Sequence, residues 1–188
     1  IRILLPMVST ASEVFKAREL LVKAANRLRR RKELIPEKLP PLGVMIEVPA
    51  AAVAADALAR ASDFFAIGSN DLTMYTLAAD RGNEHVAHLF DPLHPAVLRL
   101  IQSSTSSALK ARIPISICGE IAGEPRYLPL LIGLGLRDLS MSPTAIPRVK
   151  QRIREIDALA AATRANLIMD QTDSGRIATL LDDFNALA

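Results

Sequence analysis

The chain carries one cysteine, Cys118, at the end of a short apolar run, Ile113-Pro-Ile-Ser-Ile-Cys118. Gly119 and Glu120 follow it at once. A thiol delivered to a strand end can serve as a nucleophile or as an acid, or it can pack as a small buried hydrophobe. Two other apolar runs end in polar groups. Glu47 follows Val44-Met45-Ile46, and Asn70-Asp71 follow Phe64-Phe65-Ala66-Ile67-Gly68. Each carboxylate has a bland role: Glu47 sits just ahead of a helix start at Pro49, and Asp71 could be an N-cap. As a pair at neighbouring strand ends they supply hard oxygen ligands with room for water and substrate oxygens, which suits magnesium. There is no HExxH motif and no CxxC pair, so zinc and iron are poor candidates. Beside a metal-bound anion, a neutral proton-donating thiol is as sensible as a thiolate, and spacing does not choose between them.

Arg81 follows Asp71 by ten residues, in Asp80-Arg-Gly-Asn83. It is either a surface arginine or an anion clamp, and a helix would carry it off unless the chain turns back at Gly82. His85 and His88 would share a helical face but have no evident third ligand, and His94 reads as a helix-entry residue ahead of Pro95.

These groups must be held by strands alternating with helices. Strands are expected at 2–8, 43–48, 64–68, 114–118 and 138–141. Thr10 with Glu13 has capping-box spacing and opens a helix to about Lys32. Further helices are expected at 49–62, 72–80, from His94-Pro95 to about Lys110, from Pro125 to Ile132, and at 146–155. Such alternation means α/β with parallel strands. Polar groups recurring at successive strand ends favour a barrel mouth over an open sheet, and no GxGxxG or P-loop is present. Beyond residue 156 the alternation stops. Ala158–Met169 and Arg176–Leu187 read as a helical tail, with Leu180, Leu181, Phe184 and Leu187 on one apolar face that packs on the body or binds a partner.

Composition narrows the function classes. Apolar residues make up 50% of the 188, enough for a full core, and the net charge is +3. The basic run Arg27–Lys32 lacks interleaved aromatics, so it reads as a solvated helix end rather than a nucleic-acid patch. No run approaches a membrane span. One cysteine excludes an intrachain disulfide and suits a reducing cytoplasm. Ile1–Pro6 reads as a core strand rather than a leader, as if the chain began in mid-fold.

The segments GVMIEVPAA (43–51), DFFAIGSNDLTMYTLAADRGN (63–83), ISICGEIAG (115–123) and GLRDLSMSPTAIPRVK (135–150) resemble the C-terminal part of the phosphoenolpyruvate-binding domain of enzyme I. Enzyme I is the first phosphoryl carrier of the bacterial sugar phosphotransferase system. The resemblance covers about residues 1–155. The related pyruvate phosphate dikinase and phosphoenolpyruvate synthase share the E-x-P, NDLT and CGE signatures, but AADRGN and HLFDPLHPAVLRLI are more similar to enzyme I.

The resemblance implies the C-terminal portion of a (β/α)8 barrel, about five of its eight strands, over residues 1–156, with a helical tail at 157–188. It implies magnesium on Glu47 and Asp71, phosphate contacts from Asn70 and Arg81, and Cys118 as the acid that protonates C3 of the enolate as pyruvate forms. The implied reaction passes the phosphoryl group from phosphoenolpyruvate to a histidine in a separate N-terminal domain, and then to an HPr-type phosphocarrier. A homodimer is implied as well. Residues 1–188 would be a fragment that does not turn over alone. A dikinase-type relative and a non-catalytic dimerisation module are the alternatives. Two positions depart from the family pattern: Met74 replaces a glutamine, removing an amide near the mouth, and Ser69 replaces a threonine, keeping the hydroxyl. Gly119 is expected to give substrate access to Cys118, and Glu120 to orient the thiol.

Overall fold

A computed structural model describes residues 1–186. Five parallel strands form one sheet: β1 (Ile3–Leu5), β2 (Leu42–Ile46), β3 (Phe65–Gly68), β4 (Ile115–Cys118) and β5 (Asp138–Leu139). Their spatial order is β1-β2-β3-β4-β5. The order never reverses, so the sheet lacks the switch point that defines a doubly wound α/β fold. All five expected strands are present, and each is shorter than expected at one or both ends. β1 stops before Pro6, which has no N–H to give, and Met7 then takes a left-handed φ of 54°. β5 is brief, though the Ser140 N–H still donates to the Ile117 carbonyl at 2.8 Å.

Period-two alternation splits the strand residues between two faces. Leu42, Val44, Ile46, Phe65, Ile67, Ile115 and Ile117 are buried with side chains from the crossover helices in the main core. Those helices include α1 (Ala11–Arg30), α2 (Pro49–Val53), α3 (Ala55–Ala61), α4 (Ser69–Leu77) and α5 (Pro95–Ala111). The Glu13 carboxylate accepts from the Thr10 N–H at 2.8 Å, so the expected N-terminal signal of α1 is realised. Its last turn holds Arg27, Arg29 and Arg30, as a helix end favours. The helix expected over 49–62 is broken at Ala54 into α2 and α3.

Downstream lie α6 (Glu120–Gly123), α7 (Leu128–Gly133) and α8 (Ile146–Glu155). The tail folds as α9 (Ala158–Met169) and α10 (Ser174–Ala186). It packs on the body: Ala165, Ile168, Ile177 and Leu181 bury against Leu93, Leu98 and Leu130 in a second core. α9 comes very close to α7 at Gly133, where a Cβ would run into the Ala161 carbonyl and lie 2.7 Å from the Ala165 Cβ. Leu180 and Phe184 belong to the packed face; Leu187 lies outside the described residues.

Candidate active site at the strand ends

Glu47, Gly68 and Cys118 form a row across the C-terminal ends of β2, β3 and β4. Ile46 pairs with Ile67, and Gly68 pairs with Cys118, so Glu47 stands level with Gly68. Alternation turns all three to the face opposite the helix-covered core. The middle member has no side chain, and that space is used. A Cβ at Gly68 would lie 2.9 Å from Glu47 Oε2 and 3.2 Å from Met45 Sδ.

Glu47 is only 3% exposed. Its Oε1 accepts from the Met7 N–H at 2.7 Å, which the left-handed turn after Pro6 delivers. Burial drives the Glu47 carboxyl above its ordinary value, the Met7 hydrogen bond offsets part of this, and nearby Asp71 raises it further. Two carboxylates share one spot, and among the described residues neither forms a salt bridge. A buried carboxylate beside a half-buried one is unfavourable at neutral pH unless a cation offsets their charge. The donor set is hard oxygen throughout, Glu47 and Asp71 lying close enough to raise the Glu47 carboxyl, and so it fits a magnesium ion. Among the described residues no cluster of three or more His, Cys, Asp or Glu side chains forms, so a cation here would complete its shell with water or substrate oxygens.

Asp71 lies in the first turn of α4 rather than at its N-cap, because the helix opens at Ser69. Asn70 and Asp71 therefore share one turn at the mouth. Asn70 Oδ1 accepts from the Glu120 N–H at 3.2 Å. Arg81 does return to this end. α4 stops at Leu77, and Ala78 in the left-handed region (φ 51°) reverses the chain four residues before Gly82. Arg81 Nη1 then donates to Glu120 Oε1 at 3.0 Å, and its guanidinium lies over the Phe90 ring at 5.0 Å. Glu120 thus holds Arg81, where an orienting contact to Cys118 was expected.

Cys118 is half-buried, and its thiol donates to the Ile67 carbonyl at 3.4 Å. Burial pushes the thiol above its ordinary pKa, and the Glu47 and Asp71 carboxylates push the same way. Both effects favour the neutral thiol over the thiolate. Gly119 has φ +99°, and a Cβ there would collide with Ser69 Oγ and stand 2.9 Å from Asn70 Oδ1. Ser69 is a further participant. Its hydroxyl donates to the Cys118 carbonyl at 2.6 Å and ties the end of β4 to the start of α4. In the sequence it showed only as a retained hydroxyl. Met74 sits half-buried in the middle of α4, away from the cleft lining.

A cleft of about 750 Å³ opens beside this row, lined by Asn70, Cys118, Gly119, Glu120, Ser140 and Arg148 among others. It lies on the β4–β5 side, and Glu47, Asp71 and Arg81 do not line it. The histidines stay apart from the row: His88 is in a short 3-10 turn, and His94 caps α5 by accepting from the Ala96 N–H at 3.2 Å.

The family described as PEP-utilising enzyme, PEP-binding domain matches residues 1–158. A phosphoenolpyruvate-protein phosphotransferase of Cupriavidus necator is 46% identical over 153 residues, covering 81% of this chain and 26% of that protein. One from Haemophilus influenzae is 37% identical over 182 residues, covering 97% of this chain and 32% of that protein. A multiphosphoryl transfer protein of Xanthomonas campestris is 49% identical over 152 residues, 81% of this chain and 17% of its own. The chain spans at most about a third of the length of these relatives. No helix among the described residues is long and apolar enough to cross a membrane. The family match covers Glu47, Asn70, Asp71 and Cys118 alike, and this chain belongs to the PEP-binding domain family of the PEP-utilising enzymes.

Proposed function

We propose that this chain is the phosphoenolpyruvate-binding part of an enzyme I-type phosphotransferase. In that protein the phosphoryl group of phosphoenolpyruvate passes to a histidine of another domain and then to an HPr-type carrier, releasing pyruvate. The observation that carries the reading is the row itself: the buried Glu47 carboxylate and the half-buried Asp71 carboxylate, neither in a salt bridge among the described residues, beside the half-buried Cys118 thiol. The sequential parallel order of the strands supports five of the eight strands of a (β/α)8 barrel, with the row at its mouth.

Glu47 and Asp71 would hold Mg²⁺, which when bound supplies a positive charge that stabilises phosphoryl and enolate oxygens. Asn70 and Arg81 present N–H donors to the phosphate. As the P–O bond to the bridging oxygen breaks, the phosphoryl group moves to the histidine nitrogen and the enolate of pyruvate remains. The Cys118 S–H then gives its proton to C3, the C–H bond forms, and pyruvate leaves. The thiolate recovers a proton from solvent. A neutral thiol suits this role better than a nucleophilic one, since attack by sulfur would need the thiolate that burial disfavours. The names of the relatives favour the enzyme I-type reading over a dikinase. By the same resemblance the parent protein would be a homodimer in the cytoplasm.

Glu47→Ala and Asp71→Ala in the full-length protein test the reading. Each should raise the Mg²⁺ concentration needed for half-maximal phosphorylation by phosphoenolpyruvate by at least about tenfold. An unchanged metal requirement removes them as ligands.

A further inference from the structure

Asn70 and Arg81 reach the mouth from opposite ends of α4, yet one residue holds both. The main-chain N–H of Glu120 donates to Asn70 Oδ1 at 3.2 Å, and Glu120 Oε1 accepts from Arg81 Nη1 at 3.0 Å. We infer that Glu120 is a positioning residue that presets both phosphate contacts before substrate arrives; the inference rests on the reading of Asn70 and Arg81 as those contacts.

The pattern of donors shows what the arrangement does. With Oδ1 engaged as acceptor, the Asn70 amide is turned so that its two N–H groups face away from Glu120, and among the described residues they donate to nothing. Arg81 spends only Nη1 on Glu120. Its Nε and Nη2 donors are unused among the described residues, and Phe90 supports the guanidinium at 5.0 Å from its ring centre. Arg81 comes from the loop after α4 and is 41% exposed at its side chain, so without a partner it would sample many rotamers. Holding it in place moves that ordering cost out of the binding step. Glu120 itself is 79% exposed at its side chain. Water screens its charge from an incoming anion, while the short contact to Nη1 survives. Gly119 makes the arrangement possible. Its φ of +99° turns the chain just after Cys118, so the Glu120 N–H meets Asn70, and no side chain there would fit beside Ser69 and Asn70.

Glu120→Gln in the full-length protein removes the charge but keeps the side-chain size and the N–H that holds Asn70. An exposed ion pair of this kind sets the scale of the effect. The KM for phosphoenolpyruvate should rise about two- to fivefold, with kcat within about twofold and melting temperature and Mg²⁺ requirement unchanged. In an Arg81→Ala background the same substitution should add nothing further. Three outcomes overturn the inference. If Arg81→Ala raises KM and Glu120→Gln does not, the positioning role is lost and the phosphate contact stands. If Glu120→Gln acts equally with and without Arg81, it works through something else. If neither Arg81→Ala nor Asn70→Ala changes KM, the phosphate reading falls together with this one.

Discussion

The empty middle of the row at Gly68 can be filled. In Gly68→Ala the new Cβ would stand 2.9 Å from Glu47 Oε2, 3.0 Å from Glu47 Cβ and 3.2 Å from Met45 Sδ. Favourable carbon contacts lie at about 3.5–4.0 Å, so a methyl group overlaps its neighbours by several tenths of an ångström. Oε2 can swing away, but Oε1 is tied to the Met7 N–H at 2.7 Å and the Glu47 Cβ is fixed by the backbone. Gly68 has φ −86°, which alanine tolerates, so the cost is steric. Overpacking of this kind costs about 1–3 kcal/mol. Replacing glycine by alanine in a strand returns about 0.5–1 kcal/mol of it. The net loss is about 0–2.5 kcal/mol, or at most about 10 °C of melting temperature for a domain of this size. Cation binding should suffer more, because disturbing the setting of a ligand typically costs about 10–100-fold in affinity. Mn²⁺ titration of the full-length protein, followed by its electron spin resonance, reads that affinity, and thermal unfolding in chelator reads stability. A loss of at least about tenfold in affinity with a small fall in melting temperature is expected. Mn²⁺ affinity within about twofold of the parent would refute the reasoning that Glu47 and Gly68 compete for one space.

Two further predictions concern stability. The folded-state pKa of Glu47 lies above its ordinary value of 4.5, so the folded chain binds the extra proton. Its contribution is fully present below pH 4.5 and is lost as pH rises through the folded pKa. In chelator, Glu47→Gln should therefore melt about 2–4 °C higher than the parent at pH 8, with the gap closing below pH 4.5; a gap independent of pH would contradict the burial argument. Gly133→Ala should lower the melting temperature by about 2–12 °C, because its Cβ has no room against Ala161 and Ala165 of α9. No change in a melting curve would mean that the tail does not sit on α7 as described.

Much of this arrangement was legible in the chain because short apolar runs ending in polar groups, and apolar residues at helical spacing, are local signals. The five strands, the two tail helices and the strand-end placement of Glu47, Asp71 and Cys118 could all be read that way. What could not be read depends on where the backbone turns. Nothing in Pro49–Ala61 marks the break at Ala54, since alanine is content on either side of it. The return of Arg81 rests on a left-handed Ala78, a conformation that alanine rarely advertises. Expectation placed the turn at Gly82 because glycine is the usual choice. Asp71 looked like a cap because α4 was expected to open after it, whereas the helix begins at Ser69. Ser69 and Gly68 were invisible for another reason. Their roles are contacts across strands, to the Cys118 carbonyl and the Glu47 side chain, and only register brings those partners together.

The central claim is that Cys118 is a neutral acid beside a carboxylate-held cation. Cys118→Ala in the full-length protein tests it most directly, with pyruvate release and Mg²⁺-dependent phosphoenolpyruvate binding measured on the same sample. The account predicts that pyruvate formation falls by at least about a hundredfold, as loss of a positioned acid does, while binding changes by less than about threefold. Pyruvate release at the parent rate would contradict it.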